Sequence, residues 1–405
     1  MRCVPKTFLN CLCALFLISV FATQVFAQSK KVEEFYPNGS LKAVRMEESG
    51  QLNGPSETYY QSGQLMSEGS YRNDLLDGIY TTYYEDGQVY FIKEYRQGVL
   101  EGVSKEFYEN GELKNIELYK DDKLDGLSKY YFENGELKYS MNFTDGKLNG
   151  KSKEYYSNGE LKSEVTYRDD QWDGLIKEYN EEGKLEAEWT YENGIREGPS
   201  KIYHPNGRLK WEAEFKGDAM NGLTMAYGEN GKLKMAANFK NNQLNGIVKE
   251  YYDDGPLKSV SEYVDDQRHG LGREYYRNGN LSVEREYDAG EEVGESKEFY
   301  DDGQLWVSRI YTNDEKDGIM KEFYANGQLK QEWKIEDGHL HKLSTAYYET
   351  GDLMSEEYYV KGKKHGSSKL YFQSGQLAYE DTFVDGVRVR RTAYDEEGNL
   401  KFTEE

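Results

Sequence analysis

The sequence predicts an all-β protein: an elongated single-sheet repeat of about sixteen 24-residue antiparallel β-hairpins. Three observations carry that expectation. Glycine returns every 24 residues from Gly39, Gly63, Gly87 and Gly111 through to Gly375, and a last copy follows at Gly398, giving sixteen anchors. Around each anchor, apolar and polar residues alternate with the two-residue period of a strand. Leu137, Tyr139, Met141 and Phe143 alternate with Lys138, Ser140 and Asn142, for example. Self-similarity at a fixed spacing of this length marks a repeat architecture, in which each module contacts mainly its neighbours.

Each repeat reads as a strand, a tight turn at the anchor glycine, a second strand, and a longer turn ending at a second glycine. Four residues before the anchor stands an aromatic in all sixteen copies, and two after it Leu in fifteen, with Val89 in the other. An aromatic usually follows eight after the anchor, as at Tyr71, Tyr119, Phe143 and Tyr167. The second glycine recurs fifteen after it, at Gly54, Gly78 and Gly102 onward to Gly366, and Lys342 breaks that series. The residue before the anchor varies among Asn, Asp, Ser62, Glu182 and Thr350, so only the glycine is constant. A two-residue type I′ loop needs positive φ at both central positions. A single invariant glycine fits a three-residue loop, a type I turn closed by a left-handed G1 bulge. That loop pairs Phe107 with Leu113. It predicts one apolar and aromatic face bearing these residues, Val103 and the aromatic eight after the anchor. The other face is expected to carry Lys114, Lys138, Lys162, Glu106, Glu154, Glu250 and a second Tyr series at Tyr60, Tyr84, Tyr108 and Tyr156. A single sheet has no second layer, so its apolar face must curl, self-associate or meet a partner.

The chain has 405 residues and a formal net charge of −23, which argues against nucleic-acid binding. Residues 1–27 hold a basic start (Arg2, Lys6), an apolar run from about Phe8 to Phe21, and Val25 and Ala27 as small residues before a cut. They read as a secretory signal peptide cleaved after Ala27, leaving 28–405 as a continuous array, secreted or periplasmic, with no transmembrane span. Cys3, Cys11 and Cys13 all lie in that leader, so the mature chain is expected to have no disulfide, thiol nucleophile or thiolate metal site.

Tyr155-Tyr156-Ser157-Asn158-Gly159-Glu160-Leu161-Lys162, with a distal tyrosine and a second glycine, resembles the variant MORN repeat and the YwqK-like antitoxin family built from such repeats. The resemblance spans about Phe35 to Leu400. It implies a scaffold, spacer or flank to other domains, and the antitoxin likeness implies neutralisation of a partner toxin. The repeats at Tyr179-Asn180, Tyr203-His204 and Tyr227-Gly228 depart from it by losing the second aromatic.

No catalytic motif stands out, so an exported non-catalytic scaffold is expected, without cofactor or metal. Its partner would be a protein or an envelope component bound over the sheet. The alternative is an antitoxin facing a basic toxin. His269, His341 and His365 occupy turn positions. His339-x-His341 shares a strand face but lacks a third ligand. Acidic turns such as Asp121-Asp122, Asp169-Asp170 and Asp265-Asp266 read as solvated carboxylates rather than Ca²⁺ sites. The candidate binding residues are the tyrosines Tyr60, Tyr84, Tyr108 and Tyr156, which equally suit cross-strand packing. Trp172, Trp189 and Trp211 join them, where the Tyr ladder is interrupted.

Overall fold

The computed structural model describes residues 28–313 and 317–405, so the leader at 1–27 lies outside the described residues. Two units are distinguished, Met1–Lys123 and Leu124–Glu405. Within each, the described residues are all-β and form an open antiparallel meander of hairpins. The first unit contains Lys30–Phe35 with Leu41–Glu48, then Gln51–Tyr59 with Leu65–Arg72, Gly78–Tyr83 with Val89–Arg96, and Gly102–Phe107 with Leu113–Lys120. The second runs on the same plan from Gly126–Tyr131 with Leu137–Thr144 to Val387–Tyr394 with Leu400–Glu404.

The anchor turn has the expected form. Tyr108 N–H donates to Glu112 O at 2.8 Å, Gly111 N–H donates to Tyr108 O at 2.9 Å, and Gly111 has φ +84°. Phe107 pairs with Leu113. Residues two before the anchor are held by side chains from the preceding turn. Asn158 Nδ2 donates to Glu181 O at 2.9 Å and Asn206 Nδ2 to Glu229 O at 2.8 Å. Asparagine is therefore favoured before the anchor for its lateral hydrogen bond, not for positive φ.

The two faces differ from the expectation in one respect. After Leu113 pairs with Phe107, the next pair is Asn115 with Glu106, which leaves Lys114 as a bulge. Pairing then continues to Tyr119 opposite Gly102. The extra residue switches faces, so Tyr119 lies on the side away from Leu113, Phe107 and Val103. The same shift separates Leu137 from Tyr139, Met141 and Phe143. The leucine face also carries ion pairs such as Lys153–Glu164 at 3.3 Å and Lys177–Glu188 at 3.5 Å, so it is mixed rather than purely apolar. Its apolar column eight before the anchor stays in solvent, Ile79 at 63% and Leu175 at 43%.

The core sits on the opposite face. Ala43, Ala187, Ala213, Ala237, Ile176 and Val248 are buried there, with a serine column seven before the anchor at Ser104, Ser128, Ser152 and Ser200. Small residues are needed because aromatic rings lie across them. A Cβ on Gly69 would come within 2.7 Å of the Tyr80 ring, and Tyr80 occupies the place that serine holds in other repeats. The lysines and glutamates expected together form ion pairs on this face, Lys114–Glu106 and Lys162–Glu154 each at 2.8 Å.

The longer turn is also tighter than expected. Arg168 pairs with Gln171 around Asp169 and Asp170, whose φ values are +48° and +68°, the mark of a two-residue type I′ turn. The second glycine follows it after a short strand piece, Gln171–Trp172, rather than closing it. Asp170 is engaged: Leu148 N–H donates to its carboxylate at 2.7 Å while its own N–H donates to Leu148 O at 3.0 Å. Asp122 and Asp266 repeat that clasp on Leu100 and Leu244.

Tyrosines four before the anchor donate to glutamates of the preceding repeat, Tyr203 to Glu188 and Tyr227 to Glu212, both at 2.8 Å. Burial first, and then the carboxylate bond, pushes each phenol up to about 12. Unfolded tyrosine titrates near 10. A raised folded value means that the protonated phenols contribute their full stability below about pH 10. That contribution is then lost as pH rises through about 12. Unfolding midpoints measured from pH 8 to 12 are expected to hold until about 10 and then fall. Phenolate absorbance should lag behind that of the unfolded chain.

Candidate functional site

The second tyrosine series is built into the sheet. Tyr60 Oη donates to Tyr83 O at 2.7 Å, Tyr84 to Phe107 O at 2.8 Å, and Tyr156 to Tyr179 O at 2.8 Å. Each hydroxyl thus ties one repeat to the backbone of the next. His204 takes the same role, with Nε2 2.9 Å from Tyr227 O, so the tautomer protonated at Nε2 is required. Tyr108 lies under the Lys114 ammonium, 5.8 Å from its ring centre. These contacts account for the series structurally. Tyr60, Tyr84 and Tyr108 belong to the first unit.

Tyr156, Trp172 and Trp189 do converge. They line one groove of about 720 Å³ on the core-bearing face of the second unit, together with Tyr191, Glu178 and Arg196. The type I′ turn at Asp169-Asp170 and the short strand after it deliver Trp172, which packs edge-on to Tyr191 with ring centres 5.0 Å apart. Trp172 remains 43% exposed. The strand Leu185–Glu192 delivers Trp189, whose Nε1 donates to Glu178 at 3.0 Å. Arg196 lies over the Trp189 ring at 4.6 Å and over Phe215 at 4.8 Å, and donates to the Tyr191 hydroxyl at 3.2 Å. Trp211 is outside the groove lining but joins the same cluster, 6.1 Å from Phe215. The floor is apolar, Ile176 and Val165. Such a groove offers flat aromatic surface and carboxylate acceptors, the chemistry of partner recognition.

Residue reasoning missed Arg196, Tyr191, Glu178 and Ile176, although Arg196 and Ile176 are visible as departures from columns held elsewhere by leucine and serine. Two further grooves on the same face also collect cations. One of about 240 Å³ is lined by Lys258, Arg268 and Arg285, with Gly272 leaving room for Tyr287. The other, about 300 Å³, is lined by Lys364, Arg388 and Arg391. The histidines serve locally: His365 Nδ1 is 3.5 Å from Asp385 N, His339 Nδ1 is 2.8 Å from Asp337 O, and His341 sits 3.2 Å from Glu336. Among the described residues, no group of three or more His, Cys, Asp or Glu side chains is placed to hold a metal ion.

No curated protein matches the chain. Solved structures that it resembles include the crystal structure of TcdB2-TccC3-Cdc42, at 12% identity, covering 93% of this chain and 23% of that one, with a TM-score of 0.16. Another is the Photorhabdus luminescens Tc holotoxin pore carrying the TccC3 D651A mutation, at 12% identity, again covering 93% and 23%, with a TM-score of 0.17. The chain spans under a quarter of the length of these matched chains. The model of the MORN repeat variant matches thirteen segments, from 52–73, 76–97 and 100–121 to 340–361 and 364–385, and the MORN repeat model matches 260–281. With most of its length covered by copies of that repeat, and with their hairpin geometry in both units, the chain belongs to the MORN repeat variant family.

Proposed function

We propose that this chain is an exported, non-catalytic scaffold that binds a protein or cell-envelope partner through its sheet, with the Trp172–Trp189 groove as the principal contact. The observation that carries this reading is the convergence of Tyr156, Trp172, Trp189 and Tyr191 on one groove while Trp172 stays in solvent. Large aromatics gathered in a groove and left in solvent gain free energy when a partner covers them. The titratable side chains recur at fixed repeat positions as structural pairs, such as Lys330–Glu322 at 2.8 Å and Tyr371–Glu356 at 2.9 Å, which supports a scaffold rather than an enzyme. Crosslinking of the native chain in envelope extract should capture a defined partner. The double variant W172A/W189A should lose most of that capture while keeping its circular dichroism. Equal capture by both would overturn the groove as the contact, and no capture by the native chain would overturn the scaffold reading.

The net charge of −23 favours a second reading, an antitoxin for a basic toxin, because opposite fields speed association and help to exclude wrong partners. Loss of the gene should then sensitise the host to a basic toxin encoded beside it. Unchanged survival would remove this reading.

A further inference from the structure

We propose that the groove between Trp172 and Trp189 receives a lysine or arginine side chain from a basic segment of the partner protein. The inference rests on the partner-binding reading and names the chemistry of the bound group.

One repeat departs from its neighbours, and the departures meet in this groove. Eleven before the anchor, Leu76, Leu100, Leu124 and Leu148 give way to Trp172. Seven before it, Ser104, Ser128, Ser152 and Ser200 give way to Ile176, which is 4% exposed. Three after it, Lys114, Lys138, Lys162, Lys210 and Lys234 give way to Glu186. The column six after the anchor, which varies through Glu117, Met141 and Val165, holds Trp189 here. Glu186, Ile176, Trp172 and Trp189 all line the same groove. Other repeats depart in these columns too, as at Tyr80, Tyr90, Arg268 and Trp306, but the Gly183 repeat differs from the repeat before it in all four, and the four side chains share one groove.

The change at Glu186 reverses the local charge logic. In other repeats the lysine three after the anchor holds the glutamate five before it, as in Lys114–Glu106, Lys162–Glu154 and Lys330–Glu322. In this repeat the same two columns hold Glu186 and Glu178, so an ion pair becomes two carboxylates. Like charges on one sheet face repel, and a cation supplied from outside relieves that repulsion. Trp189 donates one hydrogen bond to Glu178, which leaves the second carboxylate oxygen available. The charge of Glu186 reaches the Tyr156 hydroxyl, whose phenol is held above its ordinary value first by burial and then by Glu186. The two bases of the wall are already engaged, Lys162 on Glu154 at 2.8 Å and Arg196 on the rings of Trp189, Tyr191 and Phe215.

An incoming side chain fits these surfaces by parts. Its aliphatic stem lies on Ile176, Val165 and the indole faces, and its charged head reaches Glu178 and Glu186 with cation–π support from the rings. A groove of about 720 Å³ has room for more than one such side chain, so flanking peptide residues can enter as well. The acidic field of the whole chain draws basic segments towards it.

The test uses the full chain and two fluorescent decapeptides, one alternating Lys and Gly, the other with each lysine acetylated, read by anisotropy at 150 mM NaCl. The lysine peptide should bind at least tenfold more tightly than the acetylated one. Glu186→Lys, which restores the usual ion pair, should weaken it about tenfold or more, and Trp172→Ala should weaken it several-fold. Glu229→Lys makes the same change in net charge at a distant exposed turn and should alter affinity less than twofold. Equal losses at Glu186 and Glu229, or equal binding of the acetylated peptide, would overturn the proposal. Partner capture from envelope separates the two readings. Capture that Glu186→Lys leaves intact refutes the cation pocket alone, whereas peptide binding without any captured partner refutes the scaffold reading alone.

Discussion

Replacing Gly279 with valine is expected to destabilise the Tyr275–Leu281 hairpin by about 2 kcal/mol, within the range for a non-glycine residue forced into left-handed backbone. Gly279 closes its three-residue loop at φ +91°, and an added Cβ there meets nothing within 4 Å. The cost is therefore backbone strain alone, since no packing changes. Asparagine tolerates this region better than a β-branched residue, so Gly279→Asn should lose less than half as much. Repeat arrays open locally, so the sensitive readout is hydrogen exchange of the amides bonded across this hairpin, beside the urea midpoint of the whole unit. The Tyr276 hydroxyl ties this turn to Phe299 O at 2.7 Å, so exchange should accelerate there as well. If Gly279→Val and Gly279→Asn prove equal, left-handed strain is not what selects glycine at the anchors.

The hairpin architecture was legible because its constraints are local. An invariant glycine beside variable Asn, Ser, Glu and Thr distinguishes a three-residue loop from a two-residue one without knowledge of any distant contact. The face of Tyr119 was not legible for the opposite reason. Leu137, Tyr139, Met141 and Phe143 alternate without a break, and the bulge that follows Leu137 leaves no gap in that pattern. Whether alternation crosses a bulge is decided by cross-strand register. The type I′ turn carried a readable signal in Asp145-Gly146 and Asn193-Gly194. It was obscured by the more regular glycine four residues further along. At the candidate groove, Trp172 and Trp189 were visible as unusual residues in a broken Tyr ladder. Their meeting with Arg196 and Ile176 required knowing that positions eleven and seven before an anchor share a face with those six and eight after the preceding or same one. That fact, too, follows from the bulge.

Removing hydroxyls from the buried serine column is expected to stabilise the second unit. Ser128, Ser152 and Ser200 are at most 5% exposed, and their Oγ atoms have no hydrogen-bond partner in the protein. A buried polar group left unpaired costs about 1–3 kcal/mol, while alanine keeps the small volume that the overlying rings demand. The triple substitution Ser128→Ala, Ser152→Ala and Ser200→Ala should therefore raise stability by about 3 kcal/mol if each site contributes about 1. The sites lie in separate repeats, so single variants should add. Ser56 is the comparison, a member of the same column in the first unit that keeps 8% exposure, so solvent can reach it more readily and its replacement should change less. The opposite sign, a loss of stability that grows with each alanine, would mean that ordered water satisfies the column. Serine would then recur in this column to hold water along the core, and Ile176, which interrupts it as Tyr80, Val248, Gly272 and Met320 do elsewhere, would mark where the repeat gave up hydration to form an apolar floor.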